Sequence, residues 1–413
     1  MVAVVCVSTV VIHNVSQGMT FTAKIDTNTA HTRLIQYTDF NKNLSTGRSN
    51  LNSTEHNPAH FSTVSGNTSE TLRTLHAPKQ EVRHIGFLKV HKAASSTMQN
   101  IYFRFGMKRN LTFVFTEHPN YFSREVNKPI PVVKPRYRKG HDILCNHGVF
   151  NYDVYSSFLP KDSVYLAIVR DPMDLFISAV NYYSQKEQLL AYLGKVPGNR
   201  LKNLIQFPDK YDKGLFSYTN NVMARDFGFP MSLKPENILS KITELDSIFK
   251  LVLVVEYFEE SLILMKRYLN WKFQDILFIS NNVYSRTGWS LTDLAPEDIT
   301  KFTYRNQLDV QVYNYFYEKF WKQFRSEPDD IHVEVLCFKE VLKKLSTFCH
   351  IARVATSDVL IIEKTEWNDR FVVLASDCEY MRMDELKFIN KLRALQGSEL
   401  GRRNRVKRVL RRH

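Results

Sequence analysis

Two stretches of this 413-residue chain carry residue types that bind phosphate-like anions when they stand at strand ends. The first is Lys89-Val90-His91-Lys92-Ala93-Ala94-Ser95-Ser96-Thr97, which continues out of the apolar run IGFLKV at 85–90. A loop that leaves a parallel strand and enters a helix presents free backbone N–H groups and the positive end of the helix dipole. Ala93 and Ala94 are small enough for the backbone to approach an anion closely. Ser95, Ser96 and Thr97 put hydroxyls in the first turn, and Lys92 adds a mobile point charge. The nucleotide-triphosphatase pattern G-x-x-x-x-G-K-[ST] is missing, because the lysine precedes the small residues and the glycines are absent. Ser and Thr at a helix start also serve as plain N-caps, so the loop alone leaves both readings open.

The second stretch begins where SVYLAIV, residues 163–169, runs into Arg170-Asp171-Pro172. Ser178 lies about two turns into the following helix, with Tyr182 at i+4 on the same face. An arginine fork and a serine hydroxyl can close on one phosphate from two sides. The competing reading has Asp171 capping the helix and Arg170 paired with a carboxylate. Taken together, the two stretches suit one nucleotide with phosphates at two separate positions, which describes 3′-phosphoadenosine 5′-phosphosulfate.

The elements that must position these residues are short apolar runs alternating with helical patterns. IGFLKV (85–90), DILCN (142–146), SVYLAIV (163–169) and LVLVV (251–255) have the length and composition of buried strands. Met98, Ile101, Tyr102 and Phe105 share one face of the helix expected after the first. Pro172 marks a helix start running to about Ser184, and another helix spans about Glu256 to Leu269. Alternation of this kind predicts a parallel sheet covered on both faces. Pro296 to Phe324 reads as one long helix whose aromatic stripe is core packing, and 331–349 continues helically. Apolar residues make up 44% of the chain and charged residues 24%, enough to bury a real core. The net charge of +14 favours anionic partners. Five cysteines (Cys6, Cys145, Cys337, Cys349, Cys378) are too few for a disulfide-built scaffold and too scattered for a zinc module, and an odd count leaves at least one thiol free or intermolecular.

The pairing of LKVHKAASST with IVRDPMDLFISAVNYY resembles the donor-binding loops of Golgi carbohydrate sulfotransferases, with the fit closest to the galactose-3-O-sulfotransferase family. ILCNHGVFNYD (143–153), LVLVVEYFEESLILMKRYL (251–269) and NYFYEKFWKQF (314–324) also look like that family's blocks, so the likeness covers roughly 84–325. The resemblance implies an α/β fold: a P-loop-type sulfotransferase domain with a central parallel sheet flanked by helices, a disordered N-terminal stem and a helical C-terminal part. It implies a 5′-phosphosulfate site from Lys89, Lys92, Ala93, Ala94, Ser95, Ser96 and Thr97, with Lys92 on the bridging oxygen, and a 3′-phosphate site from Arg170 and Ser178. His147 matches the position of the acceptor-activating histidine of related enzymes, and His91 is the rival base. The implied chemistry needs no metal. The implied acceptor is a galactosyl glycolipid or glycan, sulfated at the galactose 3-OH. The implied setting is the Golgi membrane, single-pass and type II with a lumenal catalytic domain, and a homodimer is possible.

The termini are read from composition. Residues 2–12 form an apolar run of VAVVCVSTVVI, too short to span a bilayer and without a preceding positive residue, which reads either as a buried or frayed end or as a truncated membrane anchor. Residues 1–80 are expected to be this anchor remnant plus a flexible stem, with sequons at Asn14, Asn43, Asn52 and Asn67 and a fifth at Asn110. A cytosolic disordered linker is the alternative. Residues 81–350 are the expected catalytic domain and 351–413 a C-terminal extension ending in the basic GRRNRVKRVLRRH. A phosphoryl-transferring kinase and a basic nucleic-acid-binding protein are the rival functions. The first lacks its glycine-rich signature, and the second shows no known nucleic-acid-binding motif.

Overall fold

The structure, a computed structural model, describes residues 80–397 apart from 119, 126–127, 130, 136–139, 187–197, 213–216, 280–293 and 352–357. The apolar N-terminal run, the stem with its four sequons and the basic tail lie outside the described residues. Asn110, the fifth sequon, is exposed. Among the described residues no helix is long and apolar enough to cross a membrane.

The core is a four-stranded parallel sheet: β1 (Ile85–Phe87), β2 (Ile143–Leu144), β3 (Val164–Val169) and β4 (Phe249–Val254), in the order β2-β1-β3-β4. Ile85 pairs with both Ile143 and Val164, and Leu166 pairs with Leu251. Leu166 to Val169 are wholly buried, as a sheet covered on both faces requires. The first strand is shorter than its apolar run predicts. Val90 N–H already turns back to the Leu88 carbonyl at 3.1 Å, so the chain leaves the sheet before Lys89. From β1 the sheet grows one way to β2 and the other way to β3. The crevice beyond the C-terminal ends of β1 and β3 is therefore a topological switch point, where open α/β sheets bind ligands.

The helices that serve this crevice are α1 (Ser95–Lys108) after β1, α2 (Pro172–Lys186) after β3, the short α3 (Val222–Asp226), and α4 (Phe258–Leu269) after β4. Met98, Ile101, Tyr102 and Phe105 all face the core from α1. The long helix expected from Pro296 to Phe324 is two helices, α5 (Pro296–Arg305) and α6 (Gln307–Arg325), broken at Asn306. Asn221 supplies the reason. Its amide donates to the Arg305 carbonyl at 2.9 Å, and its side-chain oxygen accepts from Leu308 N at 3.1 Å and Asp309 N at 3.2 Å. One side chain thus takes over the backbone bonds of the missing turn. Tyr313, Phe316, Tyr317, Phe320 and Phe324 pack into the core, whereas Tyr304 is 73% exposed.

The C-terminal part begins with α7 (Ile331–Ile351) and continues through an antiparallel ribbon, β5 (Val359–Ile362) and β6 (Phe371–Leu374), to α8 (Ala375–Met381) and α9 (Glu385–Leu395). A disulfide from Cys349 to Cys378 ties the end of α7 to α8, while Cys145 carries a free, buried thiol. This part packs on the unit that holds the parallel sheet. Phe388 meets Phe103 of α1 at 5.3 Å between rings, and Arg393 donates to the carbonyls of Thr116 and His118 at 2.6 and 2.8 Å.

Candidate active site at the switch point

The loop between β1 and α1 is held in an unusual backbone shape. Lys92 and Ala94 both adopt left-handed conformations, φ 60° and 50°, at a cost of roughly 1–2 kcal/mol each for a residue with a Cβ. Two bonds hold that shape. Ser95 Oγ donates to the Val90 carbonyl at 2.6 Å, and Arg170 Nη1 donates to the Lys92 carbonyl at 2.8 Å. The N-cap of α1 is Ala94, which brings no side-chain cap, and the first turn contains no acidic residue. Thr97 and Met98 N–H turn back to the Ala94 carbonyl, so the N–H groups ahead of them are the ones a helix start leaves for a ligand. The loop therefore fits an anionic group at its mouth.

The hydroxyls of the first turn divide. Ser95 is buried and its proton is spent on Val90, so it closes the loop. Ser96 is exposed and donates to Glu385 Oε2 at 3.1 Å. Ala93 is buried, and Ala94 and Thr97 are half-buried at the mouth. Lys89 has no exposed surface: its ammonium donates to Gln99 Oε1 at 2.9 Å and Glu385 Oε1 at 2.5 Å. Lys89 therefore works from beneath the loop.

The second cluster stands against the first. Beyond the bond from Arg170 to the Lys92 carbonyl, Lys92 Nζ lies 4.0 Å from the centre of the Tyr182 ring. Ser178 is half-buried one turn before Tyr182 on α2. Arg170 Nε is buried with no hydrogen-bond partner, a donor that an anionic ligand would satisfy. Asp171 does cap α2, accepting from Met173 and Asp174 N–H at 3.0 Å each. Behind it, Glu256 Oε1 accepts the Asp171 N–H at 2.9 Å, and burial followed by the Asp171 charge pushes the Glu256 carboxyl up to about 7.

The two candidate bases lie together. The rings of His91 and His147 stack with centroids 4.1 Å apart. His147 Nδ1 is 3.0 Å from the Lys89 carbonyl. A carbonyl only accepts, so Nδ1 carries the proton and the lone pair of the neutral ring sits on Nε2. Burial first, then the charges of Lys89 and His91, hold His147 well below the usual histidine range, so the ring is neutral at physiological pH. His91 is held by Asp226, whose Oδ2 accepts from both the His91 backbone N–H and ring Nδ1 at 2.7 Å, while Nε2 lies 3.2 Å from the Tyr121 hydroxyl. Asp226 comes from α3, whose Met223 and Ala224 N–H groups are in turn held by Asp309 at 3.3 and 2.7 Å. Burial pushes Asp309 up to about 7.

Asp226, Tyr121 and Glu385 are site residues that the sequence patterns do not mark. Only the unexplained acid in the polar break ARD before Phe227 could have drawn attention to Asp226.

The family profile described as Galactose-3-O-sulfotransferase matches residues 43–366, which includes both candidate anion-binding stretches and both candidate bases. The chain belongs to the galactose-3-O-sulfotransferase family. Over 284 residues it is 33% identical to the galactosylceramide sulfotransferase of Homo sapiens, covering 65% of this chain and 64% of that protein. Over 285 residues it is 32% identical to galactose-3-O-sulfotransferase 2 of Mus musculus, covering 65% and 70%. Over 256 residues it is 30% identical to galactose-3-O-sulfotransferase 3 of Homo sapiens, covering 59% and 58%. The match to the galactosylceramide sulfotransferases thus spans 64% of the human protein and 58% of the Mus musculus protein. Within this family member, Glu385 lies beyond the matched span.

Proposed function

We propose that the chain transfers a sulfuryl group from 3′-phosphoadenosine 5′-phosphosulfate to a galactose hydroxyl, the 3-OH, of a glycolipid or glycan. The observation that carries this reading is the 2.8 Å bond from Arg170 to the Lys92 carbonyl, which joins the two anion-binding stretches into one crevice. The donor supplies an electrophilic sulfuryl group on a phosphate leaving group. The N–H groups at the start of α1 and the Lys92 ammonium face charge that grows on that phosphate, and they are oriented before reaction begins. Arg170 and Ser178 hold the second phosphate and so fix the nucleotide along the crevice. His147 Nε2, neutral and with its lone pair free of the Lys89 bond, takes the proton of the acceptor hydroxyl. His91, fixed by Asp226, packs against that ring and limits its orientation.

Family resemblance is the ground for the remaining parts of the proposal: a Golgi membrane setting with a lumenal catalytic domain and an N-terminal anchor.

Two measurements test the function. Titration with adenosine 3′,5′-bisphosphate and with ATP should show clear preference for the bisphosphate. Labelled sulfuryl donor should then mark galactosyl lipid, N-glycan or O-glycan acceptors, and not the same acceptors after removal of terminal galactose. Preference for ATP, or transfer indifferent to galactose, refutes the proposal.

A further inference from the structure

Lys89 is a fully buried ammonium at the exit of the central strand. A buried cation needs a counter-charge and filled hydrogen bonds. Gln99, itself 1% exposed, fills one direction with its side-chain oxygen and turns its amide to the Cys145 carbonyl and to Asn146 Oδ1, each at 2.8 Å. The carboxylate comes from Glu385, the first residue of α9, 296 positions along the chain. The same carboxylate accepts from Ser96 Oγ in the first turn of α1. Its helix is firmly seated. Phe388 and Ile389 are fully buried, and Gln396 bonds both the N–H and the carbonyl of Phe113. Tyr380 of α8 accepts from Asn100 of α1 at 2.9 Å.

We propose that Glu385 is a positioning residue of the donor site. Its carboxylate bridges the Lys89 ammonium and the Ser96 hydroxyl, and so sets the start of α1 against the strand end whose carbonyl orients His147. The C-terminal extension is then a working part of the site although Glu385 lies beyond residues 43–366. The inference rests on the donor-site reading of the loop for its binding and kinetic arms, and a separate stability arm stands without it.

The variants are Glu385→Gln, nearly the same shape without the charge, Glu385→Asp, and Lys387→Ala, an exposed neighbour on α9. Calorimetry with adenosine 3′,5′-bisphosphate is expected to show binding weakened by about tenfold or more in Glu385→Gln. The same variant should show a matching rise in donor KM, and acceptor KM should stay put. Glu385→Asp should recover part of the loss, and Lys387→Ala should behave as wild type. Unchanged affinity in Glu385→Gln overturns the proposal. Tighter binding overturns it too, because the carboxylate would then be a competitor of the donor phosphate. Should the wild-type protein bind no bisphosphate, the donor-site reading fails by itself. Urea unfolding then decides the pairing: Glu385→Gln must cost stability beside Lys89 and cost much less in a Lys89→Met background. Equal losses in both backgrounds dispose of the bridge.

Discussion

Replacing His147 by alanine separates the two stacked rings. Its Nδ1–H is spent on the Lys89 carbonyl, 3.0 Å away, so the neutral ring offers one lone pair, at Nε2. Burial and the Lys89 and His91 charges hold the ring below the usual histidine range, so nearly every molecule at neutral pH has this base ready. Removing a ready, oriented base is expected to lower kcat by about 10²–10⁴-fold, which corresponds to about 3–5 kcal/mol of barrier. The matching His91→Ala change removes a stacking partner already bonded to Asp226, and its expected loss is about tenfold or less. The assay is initial-rate sulfation at saturating donor and acceptor, across a pH series, with thermal unfolding as a check on folding. Because His147 sits low, wild-type kcat should hold steady as pH falls through the ordinary histidine range and drop only below it. Added imidazole should restore part of the activity to His147→Ala. If His147→Ala keeps kcat within threefold, or if His91→Ala is the more damaged variant, the assignment is wrong.

Three further outcomes are expected. Lys92→Ala should cut kcat by about 10²–10³-fold, as for loss of one preorganised charge-stabilising group, while circular dichroism and the unfolding midpoint stay near wild type; activity within a few-fold of wild type would remove Lys92 from the reaction. Arg170→Ala gives up the bond to the Lys92 carbonyl, and since a charged hydrogen bond contributes about 1.5–3 kcal/mol, donor KM should rise roughly 10–100-fold with a smaller change in kcat; a pure kcat effect would contradict the binding role. Glu256 is pushed up to about 7 by burial and Asp171, above its unfolded value, so its contribution is present when protonated and is lost as pH rises through that point. Relative to wild type, Glu256→Gln should therefore gain about 2 kcal/mol of unfolding free energy between about pH 5.5 and about pH 7.5, and paired urea titrations that show no pH-dependent difference would refute it.

How far the sequence reveals this site depends on distance along the chain. The strands are legible because IGFLKV, SVYLAIV and LVLVV are short, mostly apolar runs, the mark of strands buried on both faces. The loop after β1 and the Arg170–Ser178 segment are legible because each is a local strand–turn–helix phrase. The partners of these residues are not. Asp226 reaches His91 across 135 positions and Glu385 reaches Lys89 across 296, and neither sits in a pattern that points there. The same limit explains Asn306, a single residue inside an amphipathic stretch that breaks the helix only because Asn221 inserts from another segment. Ser95 shows a subtler gap: three adjacent hydroxyls look alike in sequence, but only the fold shows that one is turned inward to Val90.

Lys89 is tied to both halves of the proposed site from beneath, its carbonyl to the His147 ring and its ammonium to Glu385, which also holds Ser96 of the loop proposed to receive the nucleotide. On the proposed reading, a laboratory search for altered nucleotide preference at this turn would drag acceptor turnover with it, because one residue is hinged to both halves of the reaction. Selection on the two substrates separately would have to act elsewhere, in parts of the molecule that do not share that residue.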